Sequence, residues 1–159
     1  MGLDMYLIKT TRITKSYMER EKKIDNPYQL NFYHKDKKIE PKDEWETWYL
    51  ERKIGDWRKA NAIHGWFVKN VQDGVDDCNR YEVTKDQLRG LYKTCDKVLK
   101  ERDRDTSEEL LPVKKGSFFG QYEYDDWYYE YVAQTVGLIN YAMEDYDGQY
   151  DTIYYDSWW

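Results

Sequence analysis

Two groups of side chains in this 159-residue chain have the types and spacing that binding or proton transfer requires. The first lies in the run Asp56-Trp57-Arg58-Lys59-Ala60-Asn61-Ala62-Ile63-His64. With Asp56 as the N-cap of a helix, Arg58 and Lys59 fall in the first turn, where the helix dipole disfavours cations. A phosphate or carboxylate docked on the first-turn amides resolves that misfit, with Asn61 and His64 reaching further along the same flank. Pairing of the two cations with the acids of residues 43–51 is the commoner arrangement. His64, followed by Asp73, Asp76 and Asp77, also has the makings of a general base with an orienting carboxylate. A histidine on an apolar stripe is more often a packed residue with one ring nitrogen satisfied.

The second group belongs to the stretch from Gly116 to Trp159, which holds no Lys or Arg but nine carboxylates and fifteen of the chain's twenty-eight aromatic rings. Asp125, Asp126, Tyr129, Glu130, Tyr141 and Glu144 fall on the polar side of a predicted helix there. Carboxylates and phenols together make a hydrated, negative surface suited to the Arg/Lys-rich groove of a nucleic-acid enzyme. An ordinary solvated helix face in an acidic protein has the same composition. The Asp73-Gly74-Val75-Asp76-Asp77-Cys78 run lacks the alternating oxygen ligands of a calcium loop, and two Cys with two His at irregular spacing do not make a zinc site, so no metal and no cofactor is expected. Phosphate-binding glycine loops, nucleophile elbows and kinase signatures are absent from the sequence.

The elements that must carry these groups follow from periodicity. Leu3 to Ile8 reads as a strand with Leu3, Met5 and Leu7 on one face. Residues 9–43 are charge-rich, with an Asn26-Pro27 turn and a short strand over Gln29–Tyr33. Asp43–Leu50, with two Trp three apart, predicts a short helix ending before Gly55. A central helix from Trp57 to Val71 carries Trp57, Ala60, His64, Phe67 and Val71 on one stripe and stops at Gly74. Thr84 and Gln87 form a capping box for a helix running to about Arg102, whose stripe of Leu88, Leu91, Tyr92, Cys95, Val98 and Leu99 buries Cys95 as a small hydrophobe. Residues 101–109 read as a polar linker, and Gly116–Gly120 as a turn beside a short strand. A third helix spans roughly Tyr124 to Asp145 with Tyr124, Trp127, Tyr128, Tyr131, Thr135, Leu138, Ile139 and Ala142 inward. Gln149–Tyr155 predicts a last strand, with Ser157-Trp158-Trp159 tucked against the body. The expected fold is α+β: a single domain over 1–159, about three helices on a small, mostly antiparallel sheet with an aromatic-rich core.

Composition limits the function classes. The net charge of −6 is split: residues 1–80 hold 16 basic and 14 acidic side chains, residues 81–159 hold 9 and 17. The second half therefore repels a phosphate backbone, and direct nucleic-acid binding is not expected. With 18% aromatic residues the chain is not a disordered polyelectrolyte. Two cysteines make no disulfide framework, and no apolar run is long enough for a signal peptide or a membrane span, so a cytoplasmic protein is expected.

The segments Gly2-Leu3-Asp4-Met5-Tyr6, Trp57-Arg58-Lys59-Ala60-Asn61-Ala62-Ile63-His64-Gly65-Trp66-Phe67-Val68, Asp73-Gly74-Val75-Asp76-Asp77-Cys78 and Leu110-Leu111-Pro112 with Gly116-Ser117-Phe118-Phe119-Gly120 resemble a family of small uncharacterised bacteriophage and prophage proteins. Some members carry the name phosphoglycerate kinase, which a chain of this length without nucleotide motifs does not support. The resemblance implies a viral origin, a location in the cytoplasm of the infected bacterium, and no catalytic residues. It points to a non-catalytic accessory protein that antagonises host defence: an inhibitor of a CRISPR or restriction-type effector, binding its basic nucleic-acid groove through Asp125, Asp126, Tyr129, Glu130, Tyr141 and Glu144. The alternative is a sponge for a nucleotide second messenger at Arg58, Lys59, Asn61 and His64. A small enzyme using His64 comes third. The oligomeric state is left open.

Overall fold

The computed structural model describes residues 2–23 and 30–159. The Asn26-Pro27 turn and the first residue of the Gln29–Tyr33 strand fall outside the described residues. The elements in chain order are β1 (Asp4–Ile13), α1 (Lys15–Lys23), β2 (Phe32–His34), β3 (Lys37–Ile39), β4 (Trp48–Arg58), α2 (Asn61–Asn70), β5 (Tyr81–Val83), α3 (Lys85–Glu101), α4 (Arg104–Leu110), α5 (Asp126–Glu144) and β6 (Asp151–Trp158). The class is α+β, with a four-stranded sheet ordered β4-β1-β6-β5 and a β2-β3 hairpin. Every strand pair is antiparallel.

The period-two pattern of β1 continues past Ile8, so the strand runs to Ile13 with Leu3, Met5, Leu7, Lys9, Thr11 and Ile13 all buried. These side chains share one face with Trp57 on β4 and with Tyr155 and Ile153 on β6, as the pairings Met5↔Trp57, Leu7↔Tyr155 and Lys9↔Ile153 require. A register shift between Leu7 and Ile8 leaves Ile54 as an extra residue on β4. Helices α2 and α5 cover this inner face. Phe67 of α2 stacks on Tyr155 at 3.9 Å between ring centroids, and the Trp57 indole donates to Thr135 Oγ1 of α5 at 2.9 Å. On the opposite face two cations lie over rings: Lys53 at 5.5 Å from the Tyr6 centroid and Arg80 at 5.9 Å from that of Tyr154.

Helix α3 follows the sequence pattern closely. Thr84 and Gln87 form the reciprocal capping box, Leu88, Leu91, Cys95 and Val98 are buried, and Arg102 closes the helix in the left-handed conformation. Burial pushes the Cys95 thiol up to about 12.

Elsewhere the expected elements need correction. Among the described residues, five helices replace about three. The segment Asp43–Leu50 is not helical: Asp43 Oδ1 accepts from the amides of Trp45 and Glu46, closing a turn, and Trp48 to Leu50 begin β4 with alternating exposure. That strand continues through Gly55 and Asp56, so the helix expected from Trp57 starts only at Asn61. The 101–109 linker is mostly helix α4, capped by Asp103 and anchored by the single buried Ser107. Residues 15–23 form α1, whose one buried side chain is Met18. Both are short helices with one anchor each, too little for a periodic signal. No strand adjoins Gly116–Gly120 among the described residues, while the C-terminal strand begins and ends later than expected.

Leu138 of α5 rests on Gly55, where a Cβ would overlap both Leu138 methyl groups; Gly137 on the solvent side meets nothing within 4 Å. Gly55→Ala is therefore expected to lower stability by about 1 kcal/mol or more by displacing Leu138. Gly137→Ala is expected to raise it by about 0.5–1 kcal/mol through helix propensity. Chemical denaturation of the two variants against the wild type checks both signs.

Candidate functional site

The structure divides the four residues expected to form an anion site. Arg58 ends β4 and lies 3.6 Å from Asp4 on the exposed side of the sheet. Lys59 occupies the left-handed region (φ 60°) in the turn from β4 to α2. Neither residue is helical, because β4 carries the backbone through Asp56, and the residue before α2 is Ala60, which provides no side-chain cap. Asn61 is buried and fastens the 116–121 loop to α2, donating from Nδ2 to Phe119 O at 3.2 Å and Gln121 O at 2.7 Å. Gly120, with φ 99°, closes that contact; a Cβ there would stand 3.1 Å from Lys59 O. Lys59 and Asn61 do line a cavity of about 270 Å3, but Glu123, Asp125, Trp127 and Tyr131 line it with them. Two carboxylates beside one ammonium oppose a phosphate there.

His64 points away from that cavity into the core and is fully buried. Its Nδ1 meets the Tyr155 hydroxyl at 2.7 Å and its Nε2 meets Asp76 Oδ1 at 3.0 Å, while Lys114 Nζ sits 3.2 Å from the other Asp76 oxygen. Phe119 and Trp159 flank the ring at 5.2 and 5.5 Å. The orienting carboxylate anticipated for His64 is thus present, as Asp76, and Asp73 and Asp77 are not its partners. Burial lowers the His64 pKa despite the opposing pull of Asp76, and burial raises that of Tyr155 well above the ordinary phenol value. A neutral imidazole between a protonated phenol and a carboxylate, sealed by rings, serves as a polar tie between α2, β6 and the 73–78 loop. Among the described residues no three His, Cys, Asp or Glu side chains are grouped to hold a metal ion.

The second set is rearranged around α5. Of the expected inward stripe, Tyr128, Thr135, Ile139 and Ala142 are buried and Tyr124, Tyr131 and Leu138 pack half-buried against the core; Tyr129 and Val132 are buried beside them. Tyr129, expected on the partner face, is 8% exposed; its hydroxyl lies 3.2 Å from Ser107 Oγ and Arg102 stands 5.0 Å over its ring. Trp127, expected inside, is 62% exposed. Asp125 is the N-cap, accepting from Tyr128 N at 3.1 Å. Asp126 is exposed but held by Arg102 at 2.9 Å. Glu130 and Glu144 are exposed, and Tyr141 is 56% exposed. One face of α5 therefore presents Trp127, Glu130, Ala133, Gly137, Tyr141 and Glu144 at intervals of three or four residues, with a shallow centre at Gly137. The aliphatic spacing Val132–Thr135–Ile139–Ala142 carried the information that would have placed Trp127 outside: extended towards the N-terminus it meets 128 and 129. Comparison with known protein families, curated proteins and solved structures finds no match for this chain.

Because the folded-state pKa of His64 is depressed, its contribution to stability is complete above the unfolded value of roughly 6.5 and declines as pH falls through the folded value. The stability gap between the wild type and His64→Gln, measured by urea unfolding across that range, is expected to narrow as the solution is acidified.

Proposed function

We propose that the chain is a non-catalytic accessory protein of bacteriophage type that acts by binding a basic protein surface, and that α5 is the element that binds. The observation that carries this reading is the solvent face of α5: a nineteen-residue helix without a single Lys or Arg, bearing an exposed Trp127 and Tyr141 about Gly137, with Glu130 and Glu144 beside them. Exposed Trp and Tyr are the residues that dominate protein interfaces, because each buries a large area and loses few rotamers. Two carboxylates in the same strip set the sign of the partner and steer its approach. Gly137 lets a partner backbone come close to the helix axis.

The resemblance to phage proteins supplies the setting, a host defence effector of CRISPR or restriction type whose basic groove would otherwise hold nucleic acid. The set Asp125, Asp126, Tyr129, Glu130, Tyr141 and Glu144 is revised to Trp127, Glu130, Gly137, Tyr141 and Glu144. Asp125 and Asp126 are engaged in capping and pairing, and Tyr129 is inside. The four residues of the nucleotide-sponge reading do not share one cavity: Lys59 and Asn61 line it, and Arg58 and His64 do not, so the reading built on α5 is preferred.

Affinity capture from host cells, followed by titration with the recovered partner, tests this reading. Trp127→Ala is expected to weaken the complex by about 2 kcal/mol, roughly thirtyfold, without changing the melting temperature. The pair Glu130→Lys with Glu144→Lys is expected to slow association and to abolish its decline with salt. Gly137→Arg, a substitution the open space at Gly137 tolerates, is expected to block docking. Unchanged binding by all three variants would remove α5 from the account.

A further inference from the structure

The cavity of about 270 Å3 beside the start of α5 has an apolar interior and a charged mouth. Its floor is made of Ala60, Ala62 and Ile63, where α2 begins, and of Tyr128 and Val132 on α5, all of them buried. Trp127 and Tyr131 form the neighbouring row of α5, one turn apart, and make a wall that rises from that floor to solvent. Tyr131 is half-buried and Trp127 is 62% exposed. The rings around them are engaged: Tyr124 and Tyr129 each meet Tyr128 edge to face, and Arg102 and Arg104 lie over Tyr129 and Tyr124. Trp127 and Tyr131 have no ring or cation contact of this kind among the described residues.

The mouth is negative. Glu123 forms no ion pair among the described residues, and the cation in its field, Arg104, is bonded to Glu108 at 2.7 Å. Glu130, the next turn of α5 after Trp127, is exposed and likewise unpaired among the described residues. Lys59 also borders the cavity, but its stem crosses Gly120 and brings Cε to 3.4 Å from the Cβ position of Gly2, which is not part of the wall. Its ammonium is thereby carried away from Glu123. The interior selects against charge of either sign. An arginine entering head-first places its cation on an apolar floor against the positive end of α2, and an anion must pass the carboxylates at the mouth. An uncharged ring meets neither obstacle. Apolar cavities of about 150 Å3 hold benzene, so this one admits a phenyl or phenol ring with its methylene.

We propose that the cavity is the anchor pocket of the binding face, taking an aromatic side chain of the basic partner that is flanked there by Arg or Lys residues, which meet Glu123 and Glu130. This rests on the reading of α5 as the binding element. A ring set against Trp127 and Tyr131 makes the offset or edge-on contacts that aromatic pairs favour, and a ring seated in a pocket is the commonest anchor of an interface. Capped tripeptides test the pocket without the partner: acetyl-Arg-Phe-Arg-amide, acetyl-Arg-Ala-Arg-amide and acetyl-Glu-Phe-Glu-amide, each titrated at constant ionic strength. The readout is the Trp127 indole N–H signal in NMR, identified by its loss in Trp127→Phe. The Arg-Phe-Arg peptide is expected to move that signal saturably. The Arg-Ala-Arg peptide is expected to bind at least about tenfold more weakly, having lost the buried ring, and the Glu-Phe-Glu peptide is expected to bind more weakly through repulsion at the mouth. Glu123→Gln is expected to weaken the Arg-Phe-Arg peptide about threefold, the scale of one exposed ion pair, with no change in melting temperature. Gly137→Arg stands roughly 15 Å along the helix from Trp127, beyond the screening length of about 8 Å. It is expected to leave the peptide titration unchanged while it blocks the whole partner, so a failure of the binding helix and a failure of the pocket are distinguishable. No saturable shift with the Arg-Phe-Arg peptide, or equal affinity for it and the Arg-Ala-Arg peptide, would overturn the pocket; equal affinity for the Arg-Phe-Arg and Glu-Phe-Glu peptides would overturn its basic flanks.

Discussion

The structure depends on an exchange of charge between the two parts of the chain. The stretch from Gly116 to Trp159 brings nine carboxylates and no cation, and five of the nine are met by cations from earlier in the sequence. Asp126 meets Arg102, Asp145 meets Lys9 and Arg52, Asp147 meets Arg20, Asp151 lies near Lys9, and Asp156 meets Arg80. Lys9 matters most because it is buried in the central strand. Removing an ion of this kind from water costs several kcal/mol, so the fold is committed to holding carboxylates around it, and leaving them unpaired would cost about 3–5 kcal/mol. Burial raises the Asp145 carboxyl, and the Lys9 and Arg52 hydrogen bonds outweigh it and hold the pKa below the ordinary value. The end of α5 and the start of β6 are thereby fixed to β1.

That pairing decides which part of the acidic stretch remains for a partner. Once the paired aspartates and the N-cap Asp125 are set aside, Glu130 and Glu144 stand on the solvent face of α5 with Trp127 and Tyr141. The face of the sheet turned away from the helices is different in kind. Its rings Tyr6 and Tyr154 are covered by Lys53 and Arg80, and Arg80 is itself tied to Glu51 at 2.7 Å and to Asp156 at 3.4 Å. One surface has its aromatic rings capped by cations; among the described residues, the other leaves its rings bare and its carboxylates free of such partners.

The sequence was legible where one local rule acted alone. The capping box of Thr84 and Gln87 with a single apolar stripe gave α3, and the alternation of Leu3, Met5 and Leu7 gave the start of β1. It was misleading where two periods overlapped. Trp45 and Trp48 are spaced as on a helix, yet Trp48, Leu50 and Arg52 alternate as a strand, and pairing with β1 decides between them. Asp56 had the chemistry of an N-cap, but the long-range ladder to β1 overrode that local preference. Among the candidate site residues, Glu130, Tyr141 and Glu144 were placed correctly on the exterior. Tyr129 and Trp127 were exchanged, because aromatic residues of either amphipathic side look alike in a pattern. The Lys9–Arg52–Asp145 cluster left no trace in local sequence: its members are 43 and 93 residues apart along the chain and meet only through the sheet.

Site-directed photo-crosslinking reads the binding face most directly. A photoreactive side chain placed at Ala133, on the open face of α5, is compared in infected cells with one at Glu82, on the edge strand β5. The account predicts a single adduct from position 133, with a basic protein, fading as salt is raised before irradiation, and none of that species from position 82. The same adduct from both positions, or none from 133 while the protein is folded and active, would contradict it.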